Sequence, residues 1–270
     1  MTPEPTLPPL YHELQDHLAL ASILHGQTPG RALSAPPGAA RLGLVWFHSR
    51  VFLAGDPDEA QLRQLAAGWM QQDLLPDLTA AGQEAFVLHA SPPGWLARLD
   101  DLLPGRQAIH AMREYYTCQA LKEDWRRLTP AEFEMCPVTA ELLTRPGLGG
   151  LEALREEMCS ERPSVEDFLQ KSYGVALVHQ NEVVGWCLSE YNLGGRCEVG
   201  VATAEALRGR GLGTAMSLAL VEMALARGCR QIGWHCWQRN LASAALARRA
   251  GFQLAGQHPV VIYLLKEADG

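Results

Sequence analysis

The stretch with the most evident chemistry is Arg208-Gly209-Arg210-Gly211-Leu212-Gly213-Thr214. It follows a strand-like run at 196–203 and leads at once into an apolar, helix-like run at 213–227. Glycines let a backbone turn sharply and come close to a ligand. The first N–H groups of a helix lack partners within it, and the helix dipole places about half a positive charge there. Such a turn suits a phosphate or pyrophosphate. Arg208 and Arg210 add full positive charge beside it.

The charge balance points the same way. The 270-residue chain has a net charge of −7, which argues against nonspecific nucleic-acid binding. Eight arginines and three acids fall between Arg196 and Arg249, a local +5 that leaves −12 on the rest. A basic stretch in an acidic chain fits a small anionic ligand. The alternative is a solvated arginine face, since the chain uses 20 Arg against 3 Lys throughout.

Three phosphate-binding patterns compete. A Walker A loop needs Lys before Ser/Thr, and no lysine lies between Lys171 and Lys266. A dinucleotide fold wants Gly-x-Gly-x-x-Gly and an acid ending the next strand. Here the spacing is Gly209-x-Gly211-x-Gly213, and the run 232–237 ends without Asp or Glu. The third pattern is Arg-x-x-Gly-x-Gly, formed by Arg208, Gly211 and Gly213. It resembles the coenzyme A pyrophosphate loop of the GNAT N-acetyltransferase superfamily. An ordinary glycine-rich turn is the alternative, and the residues that follow bear on it. Helix 213–227, strand 230–237, Asn240, Ser243, helix 241–250 and Gly251-Phe252 come in the order of that superfamily. The run Trp234-His235-Cys236-Trp237-Gln238-Arg239-Asn240-Leu241-Ala242-Ser243 is similar to one in its zwittermicin-resistance-like branch, with His235 where that branch usually has Asp.

The resemblance implies a fold, a ligand and a reaction. The fold is α+β: a C-terminal GNAT domain with a mixed, mostly antiparallel sheet flanked by helices. The ligand is acetyl-CoA, held by Val199, Val201, Arg208, Gly209, Arg210, Gly211, Leu212, Gly213, Thr214, Asn240 and Ser243. The reaction is acetyl transfer to a primary amine of a small molecule or peptide. Pantetheine is expected along strand 197–203, where alternation puts Glu198, Gly200 and Ala202 on one face. Glu198 is then the candidate general base, with a surface or salt-bridged strand residue as the alternative. Asn240 also fits as a helix cap. Many family members have a leaving-group Tyr four residues before the Gly-Phe glycine, and this chain has Ala247 there. Ser243 and Tyr263 are the substitute acids. The same gap supports a second reading, a catalytically degenerate acyl-CoA-binding or sensing module.

The supporting elements follow from periodicity and punctuation. Helices are expected at 10–25, 56–72, 93–103, 148–162, 165–171, 213–227 and 241–250. Strands are expected at 42–46, 51–54, 84–89, 107–118, 172–179, 182–188, 196–203, 230–237, 252–254 and 260–265. The stretch 27–43, rich in Pro, Gly and Ala, reads as a loop. Asp56 is a candidate cap, with Pro57 at the first helical position. Thr129-Pro130 marks the boundary between a divergent α+β region, 1–128, and the GNAT domain, 129–270. The first region has three open uses: a wall for the acceptor pocket, a homodimer contact, or cover for the sheet. Seven scattered cysteines without a Cys-x-x-Cys pair suggest neither a disulfide framework nor a metal site. No apolar run is long enough to cross a bilayer and no signal-like N-terminus is present, so a cytoplasmic protein without membrane contact is expected.

Overall fold

A computed structural model describes residues 6–265. They divide into two compact units, 114–256 and the paired segments 6–113 and 257–265. The sequence suggests one boundary at 129, whereas the structure divides at 114 and again at 257. The polar stretch before Thr129 is docked within the 114–256 unit. Trp125 donates its Nε1 hydrogen to Glu222 Oε2 at 2.8 Å, and Arg126 bonds the same carboxylate at 3.1 Å.

In the unit of 6–113 and 257–265, a 3-10 turn at Pro9–Leu14 precedes α1 (Leu18–Leu24). Strands β1 (Arg31–Ala35), β2 (Leu42–Phe47) and β3 (Arg50–Gly55) form an antiparallel series. β1 lies inside the stretch expected to be a loop. Its exposed edge position needs no apolar alternation, so the sequence carries no strand signal there. α2 (Ala60–Trp69) passes through a π turn at Met70–Leu74 into α3 (Leu75–Ala80). The helix starts later than expected because Asp56 accepts the amide of Asp58 in a turn instead of capping it. It ends later because Pro76 enters at the start of α3, just past the widened turn, where a missing N–H costs little. β4 (Ala85–Ser91) runs parallel to β3, and α4 (Leu99–Leu102) follows a 3-10 turn at Pro93–Ala97. Buried Leu44, Val51, Met70, Leu88 and Trp95 are among the residues of this core.

β5 (Ala108–Cys118) carries the chain into the 114–256 unit. There follow β6 (Phe133–Pro137), α5 (Ala140–Leu143), α6 (Leu151–Ser160), α7 (Val165–Lys171), β7 (Gly174–His179), β8 (Glu182–Leu193) and β9 (Arg196–Thr203). Next come α8 (Leu212–Ala226), β10 (Gln231–Trp237) and α9 (Leu241–Arg249). The strand order is β5-β10-β9-β8-β7-β6. All the pairs from β6 to β9 are antiparallel, and β9–β10 is parallel. β6 and α5 are not expected from the sequence; β6 is a five-residue edge strand closed by Pro137, which an edge tolerates. Gln180 and Asn181 have φ of 48° and 63°, the two positive values of a tight hairpin turn. β11 (Gln253–Leu264) is one strand where two short ones are expected, and it pairs antiparallel with β4.

Alternation on β7 shows how the 114–256 sheet is covered. Val175 and Leu177 join the core beneath α8 and α9, whereas Ala176 and Val178 join a second core with α5, α6 and α7. Helices therefore flank both faces, in a mixed and mostly antiparallel α+β arrangement. Among the described residues no helix is long and apolar enough to cross a membrane.

Candidate active site

The parallel ladder between β9 and β10 is short. Among the described residues it runs only from Arg196–Gln231 to Glu198–Gly233. β9 continues to Thr203 and β10 to Trp237 beyond that register. A cavity of about 570 Å³ is lined by the end of β9, the glycine turn, the start of α8 and one face of α9.

The glycine turn is built as its composition requires. Gly209 and Gly211 have φ of 79° and 80°, a region that side-chain-bearing residues seldom occupy. Gly211 caps α8, and its carbonyl accepts the amides of Thr214 and Ala215 at 3.0 and 3.2 Å. The amides of Leu212 and Gly213 come before that first helical bond, at the positive end of the dipole. α8 itself is buried from Thr214 to Val221 and stops at Gly228, φ 84°, with the Cys229 amide donating to the Ala224 carbonyl at 3.0 Å.

Nine of the expected coenzyme-binding residues line this cavity: Val201, Arg208, Gly209, Gly211, Leu212, Gly213, Thr214, Asn240 and Ser243. Arg208 also donates from Nε to the Thr203 carbonyl at 3.3 Å, which ties the turn to the end of β9. Two expected residues do not line it. Arg210 is turned away, 3.0 Å from Glu132 and 5.0 Å from the Phe133 ring centroid. Val199 is buried beneath α8 and is paired with Ser189 of β8. Arg249, by contrast, lines the cavity without having been singled out from the sequence. The signal was available, because Ala242, Ala245, Leu246 and Arg249 recur at helical spacing on one face of α9.

Asn240 and Ser243 act first on each other. The Asn240 side chain accepts the Ser243 amide at 3.0 Å as the cap of α9. Ser243 Oγ accepts from Trp234 Nε1 at 3.0 Å. Both side chains are therefore held in place at the cavity wall.

Glu198 lies on the face of β9 opposite the α8 core, since its neighbours Cys197 and Val199 belong to that core. It is 4% exposed, and His235 Nε2 is 3.6 Å from its Oε1. Tyr115 stacks on His235 at 4.5 Å between centroids, and Gln231 donates to the Tyr115 hydroxyl at 3.0 Å. Burial, with the nearby Glu198 charge second, raises the Tyr115 phenol above its usual range. Gly233 is required for this packing. A Cβ there would stand 2.9 Å from Tyr115 and 3.1 Å from Glu198.

The two remaining acid candidates fare differently from expectation. Tyr263 is fully buried in the core of the 6–113 and 257–265 unit. Its ring stacks on Phe86 and its hydroxyl donates to the Leu99 carbonyl at 3.3 Å, so it is a packing residue and no longer a candidate acid. Ala247 is fully buried in the core under α8 and α9 and does not face the cavity. Position 247 therefore supplies no hydroxyl to this cavity. Among the described residues no group of three or more His, Cys, Asp or Glu is arranged to hold a metal ion.

The GNAT acetyltransferase family model matches residues 9–261, which takes in the region before 130 as well. The chain is 23% identical over 253 residues to the uncharacterized N-acetyltransferase YdfB of Bacillus subtilis (strain 168), covering 88% of this chain and 87% of that protein. In fold it is similar to a GCN5-related N-acetyltransferase-like protein from Streptococcus suis 89/1591, with a TM-score of 0.69 at 22% identity over 94% of this chain and 95% of that one. A GCN5-related N-acetyltransferase from Kribbella flavida gives a TM-score of 0.60 at 13% identity over 96% of each chain. The chain belongs to the GNAT acetyltransferase family and is an enzyme of the acyltransferase class.

Proposed function

We propose that the enzyme transfers the acetyl group of acetyl-CoA to a primary amine of a small molecule or peptide. One observation carries the reading: the β9–β10 ladder ends after three residue pairs, beside a cavity walled by the first turn of α8. Acetyl-CoA suits that arrangement. Its pantetheine amides find backbone partners along β9, and its diphosphate finds the Leu212 and Gly213 amides and the helix dipole. Arg208 and Arg249, both lining the cavity, supply countercharge.

Glu198 is the proposed base. Its carboxylate takes a proton from the acceptor ammonium, and His235 at 3.6 Å holds it in place. The amine nitrogen then bonds to the thioester carbon, the C–S bond breaks, and the sulfur leaves as a thiolate. The nitrogen gives up its second proton and the thiolate takes one. Ser243 is the proposed donor, and a thiolate is a good enough leaving group that a weak donor suffices. The −12 balance outside 196–249 favours a cationic acceptor.

Calorimetric titration with CoA and acetyl-CoA tests the binding step, and no heat at millimolar ligand rejects it. Thiol release over a panel of amines tests the chemistry. A product heavier by one acetyl group on the amine supports the reading, whereas tight coenzyme binding with every amine inert rejects amine transfer.

A further inference from the structure

Acetyl transfer with Glu198 as base uses one carboxylate, yet a second stands over the same face of β9. β8 and β9 pair in regular register up to Ser189–Val199 and resume at Tyr191–Glu198, so Glu190 is the extra residue of a bulge. Bulges re-aim the side chains they carry. The Glu190 carboxylate is turned over Gly200. A Cβ on that glycine would stand 3.1 Å from Glu190 Cδ and would collide with its Oε1. Tyr191 anchors the bulge: it is fully buried, and its hydroxyl donates to Glu161 at the end of α6.

Alternation along β9 sets the order of the groups. Glu198, Gly200 and Ala202 share a face. Ala202 lines the cavity, and Glu198 pairs with Gly233 on the last rung before β9 and β10 part. The Glu190 carboxylate, over Gly200, therefore lies between the end of the cavity and the proposed base. Gly200 and Glu198 are two residues apart, about 7 Å of strand. Leu188, the partner of Gly200, belongs to the core with α6 and α7, so these helices border the face that carries both carboxylates. Two like charges at that spacing repel, and a ligand with positive charge at both ends relieves the repulsion.

Resting on the acetyl-transfer reading, we propose that Glu190 selects the acceptor and that the acceptor is an aliphatic diamine. One ammonium faces Glu198, which takes its proton. The neutral nitrogen forms the C–N bond as the C–S bond breaks, and its surplus proton goes to the CoA thiolate. The other end stays an ammonium throughout and pairs with Glu190, which takes no part in making or breaking bonds. A chain of about four methylenes sets its two nitrogens roughly as far apart as alternate residues of a strand. The product keeps one ammonium. A second transfer would need the amide end at Glu190, so the reaction stops after one acetyl group.

The test compares 1,4-diaminobutane with 1-aminopentane, which has the same length and a methyl group in place of the second ammonium. Each is titrated calorimetrically into the full-length protein in buffer containing CoA. The diamine should bind roughly 10- to 100-fold more tightly, the worth of one charge-assisted hydrogen bond. Glu190→Gln should bring the diamine down to the affinity of the monoamine. The monoamine's own affinity should not change, which also shows that the variant is folded. Equal affinities in the wild type, no heat from either amine, or a preference that survives Glu190→Gln overturns the proposal. Thiol release separates it from the reading on which it rests. A diamine preference that Glu190→Gln abolishes, with no acetylated product, rejects acetyl transfer and keeps Glu190 as the ammonium site. Acetylation of both amines at equal kcat/KM keeps the transfer and rejects selection by Glu190.

Discussion

Replacing Gly211 by Glu tests the glycine turn most directly, because the structure separates its two effects. A Cβ at Gly211 meets nothing within 4 Å, so the larger residue is not shut out by packing. The backbone at φ 80° costs a residue with a side chain about 1–2 kcal/mol. That strain burdens the free and the coenzyme-bound protein alike, and it should lower Tm by a few degrees, at roughly 2–4 °C per kcal/mol for a chain near this size. The charge acts only on the complex. A carboxylate about 6 Å from one phosphate charge, at an effective dielectric of about 20, is repelled by about 3 kcal/mol. At about 1.4 kcal/mol per decade, coenzyme affinity should fall by about 100-fold. Gly211→Ala carries the strain without the charge, and its affinity should stay within about threefold of wild type. Calorimetric titration of CoA into all three proteins, with Tm measured in parallel, reads both effects. A folded Gly211→Glu protein that binds CoA within about threefold of wild type refutes the assignment of this turn to a diphosphate.

Three further outcomes follow from the site. Glu198→Gln should lower kcat by about 10²–10⁴-fold and leave CoA affinity unchanged, since Glu198 does not line the cavity; equal kcat in a steady-state assay removes it as the base. Tyr263→Phe should leave kcat and KM unchanged and cost about 1 kcal/mol in urea denaturation, the worth of its bond to the Leu99 carbonyl; a loss of kcat restores it as an acid. Asn240→Ala should destabilise the protein by about 1 kcal/mol through loss of the α9 cap and weaken CoA binding by moving Ser243; full stability in denaturant melts contradicts the capping role.

The parts legible in the sequence are those set by local chemistry. The glycine turn, the Gln180-Asn181 hairpin and the apolar run of α8 each follow from residue type and spacing, and each is found within a residue or two. What stayed hidden depends on the third dimension. β1 and β6 are edge strands whose pairing partners, not their own patterns, make them strands. The helix from Ala60 to Ala80 survives Pro76 only because a π turn precedes it. Arg210 has the type and position of a phosphate ligand, yet Glu132, far away in the chain, draws it off. Tyr263 has a suitable hydroxyl, but its location in a core cannot be read from a valine-rich strand. Ala247 is legible as a position without a hydroxyl, but its place in the core under α8 and α9 depends on the phase of the helix against the sheet.

The early parting of β9 from β10 also makes the sheet an unfinished one. A ligand that lies along this edge completes the pleated layer as a strand from another chain would, through main-chain geometry more than side-chain identity. Fold and occupancy are then linked by mass action. A coenzyme concentration 100 times its Kd adds about 2.7 kcal/mol to the free energy of unfolding. On the proposed reading, heat resistance would therefore rise and fall with the supply of coenzyme.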